Sequence, residues 1–126
     1  MDEAVLKRLD REDNAWLCTS RPDGSPHLTP VWFVYDTAWW VCVLEHSVKY
    51  RNIRRDPRVS LALEDGLAPV VAEGAATIHT TGFPARIVAA FAAKYDGWDI
   101  GKPYEGIGRV LFEIPVTRWL LAGVAQ

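Results

Sequence analysis

Residues 46–59 read HSVKYRNIRRDPRV, and the reading of this stretch decides what lies on either side of it. Lys49, Arg51, Arg54, Arg55 and Arg58 place five of the chain's fourteen basic residues in fourteen positions, although the chain as a whole carries a formal charge of −2. Ser47 is a good helix N-cap, VKYRNIRR permits a helix, and Asp56-Pro57 stops it. A helix start offers unpaired N–H groups and the positive end of a dipole. With Ser47 at the cap, Lys49 in the first turn, and Asn52 and Arg55 following at three-residue spacing, the segment reads as a phosphate cradle. By spacing alone the simpler reading is a solvated amphipathic helix whose cations sit near its C-terminal end, where the dipole favours them. Both readings stay open.

The flanks read as β-structure. Before the basic stretch, NAWLCTS (14–20), HLTPVWFVYD (27–36) and AWWVCVLE (38–45) have strand character. RPDGS (21–25) is a turn, and the turn at Asp36-Thr37 joins the second and third runs into a hairpin. Pro30 has no N–H for a β ladder, so its strand is expected at an edge or bulged there. After the basic stretch come RVSLALE (58–64), VVAEGAATIHT (70–80), bent at Gly74, and RVLFEIPVTRWLLAG (109–123), kinked at Pro115. Short helices are expected at 3–11 and 84–95, the second with Ile87, Val88, Phe91 and Tyr95 as its apolar stripe. Six strands at short spacing with three short helices predict a mainly β (α+β) closed or nearly closed small barrel. No repeat or linker divides residues 1–126, so one domain is expected. A parallel doubly wound sheet is excluded, and no GxGxxG occurs.

Composition narrows the function. A pI near 5.9 argues against a general nucleic-acid binder. MDEAVLKRLDRED lacks the apolar core of a signal peptide, and no apolar run has the length of a membrane span, so the expected address is cytoplasmic. Cys18 and Cys42 lie in apolar strand-like runs and are expected as free, buried thiols. No His or Cys spacing resembles a zinc site. The histidines at 27, 46 and 79 lack a partner acid or nucleophile at a telling spacing, and no serine has a nucleophile-elbow context. Six tryptophans are expected to fill a core or subunit interface, or to flank a flat aromatic ligand. Tyr95, Trp98 and Tyr104 surround the Gly-rich loop 96–108.

The order of these pieces resembles a known family. PHLTPVWFVYD, a hairpin return, SVKYRNIRRDPRVSLAL and then VVAEGAATI are similar to the split-barrel, flavin-binding fold of the pyridoxamine 5′-phosphate oxidase-like superfamily, over roughly residues 3–122. The resemblance implies a six-stranded antiparallel split β-barrel with short flanking helices, and a homodimer with cofactor in clefts at the subunit interface. It implies that Ser47 and Lys49 meet the cofactor phosphate, assisted by Asn52 or Arg55. Pro30, Val31 and Trp32 would lie beside the ring system, with Val43 and Leu44 on the adjoining strand. Trp98 and the 96–108 loop are expected at the rim.

The pattern also departs from the vitamin B6 phosphate oxidases. These have an extra C-terminal segment where this chain stops at Gln126, and an arginine on the second strand where this chain has Leu28. The resemblance is instead to the small members that use FMN or the deazaflavin F420. The implied activity is hydride transfer to or from a small, flat or hydrophobic substrate, with no protein acid or base assigned. A non-catalytic cofactor carrier or sensor, and a haem-binding split barrel, are the competing expectations.

Overall fold

The computed structural model describes residues 1–126. Three helices and nine strands follow in the order α1 (Glu3–Arg11), β1 (Asn14–Ser20), β2 (Pro26–Trp32), β3 (Val34–Tyr35), β4 (Trp39–Leu44), α2 (Val48–Arg55), β5 (Arg58–Leu63), β6 (Val71–Ala75), β7 (Thr77–His79), α3 (Ala85–Lys94), β8 (Arg109–Ile114) and β9 (Val116–Leu120). The strands form two antiparallel sheets, β2-β1-β5-β6-β9 and β3-β4-β8-β7. No helix is long and apolar enough to cross a membrane.

The six expected strand runs are all present, but three of them divide. The second breaks at Phe33, the fifth at Ala76 and the last at Pro115, and at each break the chain leaves one sheet for the other. Pro115 breaks its run as expected. Pro30 does not, because β2 is an edge strand whose only neighbour is β1, so one side of it needs no donor. Gly74 marks a register shift against β9, and a Cβ there would lie 2.2 Å from the Pro115 carbonyl oxygen. The glycine is required by that close approach.

Alternation on the strands builds the core. Ala15 and Leu17 of β1, Val59, Leu61 and Leu63 of β5, and Ala72 of β6 face Trp39, Val41 and Val43 of β4 and Val110, Phe112 and Ile114 of β8. β4 is covered on its other face as well. Val34, Trp40, Cys42 and Leu111 meet Ile87, Phe91 and Tyr95 of α3 and Ile100 of the following loop. This explains a strand with no polar position, since both of its faces are inside. Trp39 and Trp40 are thus core residues, whereas Trp16 and Trp32 are exposed. Cys42 is buried and Cys18 only half-buried, in part against expectation, and both thiols are free. Cys18 points to the outer face of β1, alternating with the core residues.

Candidate functional site

Helix α2 is positioned by both of its ends. Ser47 caps it, its Oγ accepting the Tyr50 N–H at 3.2 Å, and the Asp56 N–H closes it on the Asn52 carbonyl. In its middle, buried Asn52 donates from Nδ2 to Thr19 Oγ1 of β1 at 3.0 Å. Arg55 donates to Asn52 Oδ1 at 3.2 Å and to the Ser20 carbonyl. Asn52 and Arg55 therefore tie the helix to the end of β1.

Beside the helix start lies a cleft of about 380 Å³. Its lining brings together Pro30, Val31 and Trp32 of β2, Val43 and Leu44 of β4, and Ser47 and Lys49, with Cys42, His46, Trp98 and Arg109 completing it. Asn52 and Arg55 are not among its lining residues. The reason is helical geometry. Each step of three residues turns about 300°, so Arg55 stands about 120° round from Lys49. Trp98 lines the cleft as well as belonging to the loop.

The cleft has one aromatic wall. The Trp32 indole lies parallel to the Tyr95 ring, centroids 4.4 Å apart at 4°, and Trp98 meets both edge-on. The stack is held from behind, because the Tyr95 hydroxyl accepts the Phe33 N–H at 2.9 Å and lies 2.8 Å from the Asp13 carbonyl, to which it donates. Burial pushes the Tyr95 hydroxyl up to about 12, so it stays a neutral donor.

The electrostatics are positive. Lys49 is half-buried, belongs to none of the chain's ion pairs, and is held below its usual value by burial. His27 is shifted down too, chiefly by burial and then by the charges of Arg21 and Lys49. His27 Nδ1 and Thr29 Oγ1 are buried without a hydrogen-bond partner. Both lie on the face of β2 that carries Val31, by strict alternation. His27 and Thr29 are not among the residues that line the cleft, so it is the cation without a counter-ion, Lys49, that fits a phosphate there. Cys42 offers no nucleophile, since burial raises its thiol to about 12. His79 is engaged elsewhere, 2.9 Å from Glu113.

Sequence reasoning missed Arg109, which comes to the cleft only through its register opposite Leu44.

A family model described as pyridoxamine 5′-phosphate oxidase matches residues 1–122. The chain belongs to that family. Other proteins share its pyridoxamine 5′-phosphate oxidase fold. An F420 reductase is 25% identical, with the match covering 95% of this chain and 98% of that one at a TM-score of 0.77. A conserved hypothetical protein from Mycobacterium tuberculosis is 34% identical over 94% of this chain and 82% of its own, TM-score 0.74. The haem storage protein of Vibrio cholerae, 16% identical over 98% and 96% of the two chains with a TM-score of 0.73, shares the fold alone.

Proposed function

We propose that the protein is an oxidoreductase of the flavin type that holds F420 or FMN in the cleft between β2, β4 and the start of α2. The observation that carries this reading is the half-buried, unpaired Lys49 in the cleft lining beside the capped helix start. Lys49, Ser47 and the α2 N–H groups would take the phosphate. Pro30, Val31, Trp32, Val43 and Leu44 would flank the ring system, and Asn52 and Arg55 would act behind them by fixing α2. When bound, such a cofactor supplies the hydride chemistry. The chain's own residues orient it, exclude water with the Trp32–Tyr95–Trp98 wall, and balance its negative charge. The similarity to an F420 reductase supports the deazaflavin, and the family supports flavins generally.

The same reading makes the protein a cytoplasmic homodimer, with the partner completing the cleft. Trp16, Leu28 and Trp32 are 41%, 58% and 47% exposed on the outer face of β1 and β2. The pairings Cys18–Leu28 and Trp16–Pro30 place them side by side. An apolar surface of this kind suits a subunit interface.

Titration of the apoprotein with FMN and with F420, followed by fluorescence, tests the reading. One of the two binds, and Lys49→Ala weakens it at least tenfold, about 1.4 kcal/mol, with the urea midpoint retained. Unchanged affinity in that variant removes the assignment. Turnover with a reductant separates an enzyme from a carrier, and the absorption spectrum of the purified protein separates flavin from haem.

A further inference from the structure

Arg109 is the single residue shared by the cleft and a neighbouring cavity. On one side it lines the cleft, and on the other a chamber of about 520 Å³ walled by Glu45, Thr80, Thr81, Phe83 and Ile100. The 44–46 turn runs between the two, with Leu44 paired to Arg109 and the Glu45 N–H donating to the Gly108 carbonyl at 2.9 Å.

The guanidinium is fixed in place. Its Nε donates to the Lys102 carbonyl at 2.9 Å, and its carbon lies 5.2 Å from the Trp98 ring centroid. Arg109 is half-buried, takes part in none of the chain's ion pairs, and donates from its terminal nitrogens to no protein acceptor. A rigid fork with both terminal nitrogens available is preorganised for a planar carboxylate. Around it, Phe83 and Ile100 form an apolar floor and Thr80 and Thr81 supply hydroxyls. Glu45 carries no ion-pair partner in the same chamber and repels additional negative charge, which disfavours a dianion.

We propose that the chamber is the substrate compartment of the site, and that Arg109 anchors the carboxylate of a flat, singly charged acid beside the cofactor cleft. The compartment assignment rests on the cofactor reading above; the anion anchor rests on the Arg109 geometry alone. A carboxylate from a tail of the cofactor itself has the same chemistry, and the test separates the two sources.

Benzoate, benzamide and phenyl phosphate are titrated into the full chain, with and without cofactor, while the Trp98 indole N–H is followed by NMR. Benzoate is expected to bind about tenfold or more tighter than benzamide, and tighter than phenyl phosphate, as a fixed charge-assisted pair requires. Arg109→Gln removes the preference in the titration without cofactor, and lowers cofactor affinity less than the roughly tenfold loss in Lys49→Ala. Arg109→Lys, which keeps the charge without the fork, reduces the preference and replaces Arg109→Gln should that variant misfold. Equal binding of benzoate and benzamide, no binding of either, or a preference undiminished in the variants overturns the proposal. A cofactor loss in Arg109→Gln matching that of Lys49→Ala overturns it in favour of the cofactor tail. Failure of both cofactors to bind sinks the cofactor reading instead, and the titration without cofactor still decides whether Arg109 selects a carboxylate.

Discussion

Lys94 shows how a single residue ties three elements together. Its Nζ donates to the Leu9 carbonyl at 3.2 Å and the Phe33 carbonyl at 3.0 Å, and sits 3.8 Å from the Phe33 ring centroid. α3 is thereby fastened to the end of α1 and to the first sheet crossing. Burial lowers the ammonium from 10.5 to about 8, against the opposing pull of Asp13, Asp10 and Glu12. The folded chain therefore holds this proton less tightly than the unfolded chain. Below about 8 both states are charged and the full desolvation cost is present. Between about 8 and 10.5 the unfolded chain binds more protons, so stability rises with pH there and the cost is gone above 10.5. Since Lys94 is only partly buried, solvent screening keeps the effect moderate. Comparing urea midpoints of wild type and Lys94→Met across that window isolates it, because the other groups cancel. The difference should move in favour of wild type as pH rises; a flat difference would mean that the amine titrates at its ordinary value.

At the scale of the element, α2 shows what a one-dimensional pattern conveys and what it conceals. The cap, the stop at Asp56-Pro57 and the positive charge were all legible, since each depends on neighbouring residues. The i, i+3 spacing of Lys49, Asn52 and Arg55 looked like one functional stripe, yet packing against β1 turns Asn52 inward. Asn52→Ala should cost about 2–3 kcal/mol in chemical denaturation, because it leaves Thr19 Oγ1 buried without its donor. It should also weaken cofactor binding less than Lys49→Ala does, measured at a temperature where both variants are folded. A larger cofactor loss in Asn52→Ala would place Asn52 in contact with the ligand. The strand breaks teach the same lesson. Proline marked the break at Pro115 and the edge position of the Pro30 strand correctly, whereas Phe33 and Ala76 carry no breaker chemistry at all. Those two breaks come from the change of sheet, which only long-range pairing dictates. The aromatic wall was half visible: Trp98 belonged to a loop suspected as a rim, while the parallel Trp32–Tyr95 stack joins residues 63 positions apart.

For the whole molecule, the imbalance between the two faces of β1-β2 is the telling property. The inner face is packed against β4 and β8, and the outer face presents Trp16, Leu28 and Trp32. Replacing Trp16 by Glu and Leu28 by Lys should convert a dimer into a monomer in sedimentation, with cofactor affinity falling at least tenfold, about 1.4 kcal/mol, because half of each cleft is lost. A dimer that persists in the double variant would place the interface elsewhere, and a monomeric wild type would remove the proposed dimer.

The three crossings at Phe33, Ala76 and Pro115 have a consequence for how the protein opens. Each is a short covalent bridge between the sheets, so neither sheet can detach and leave the other intact. Amide protons at the centres of β1, β4, β5 and β8 should accordingly exchange with deuterium through one shared opening, with similar free energies. Those of β9 and the residues after it are free to exchange sooner. A binding cleft built across both sheets would then be as durable as the fold itself.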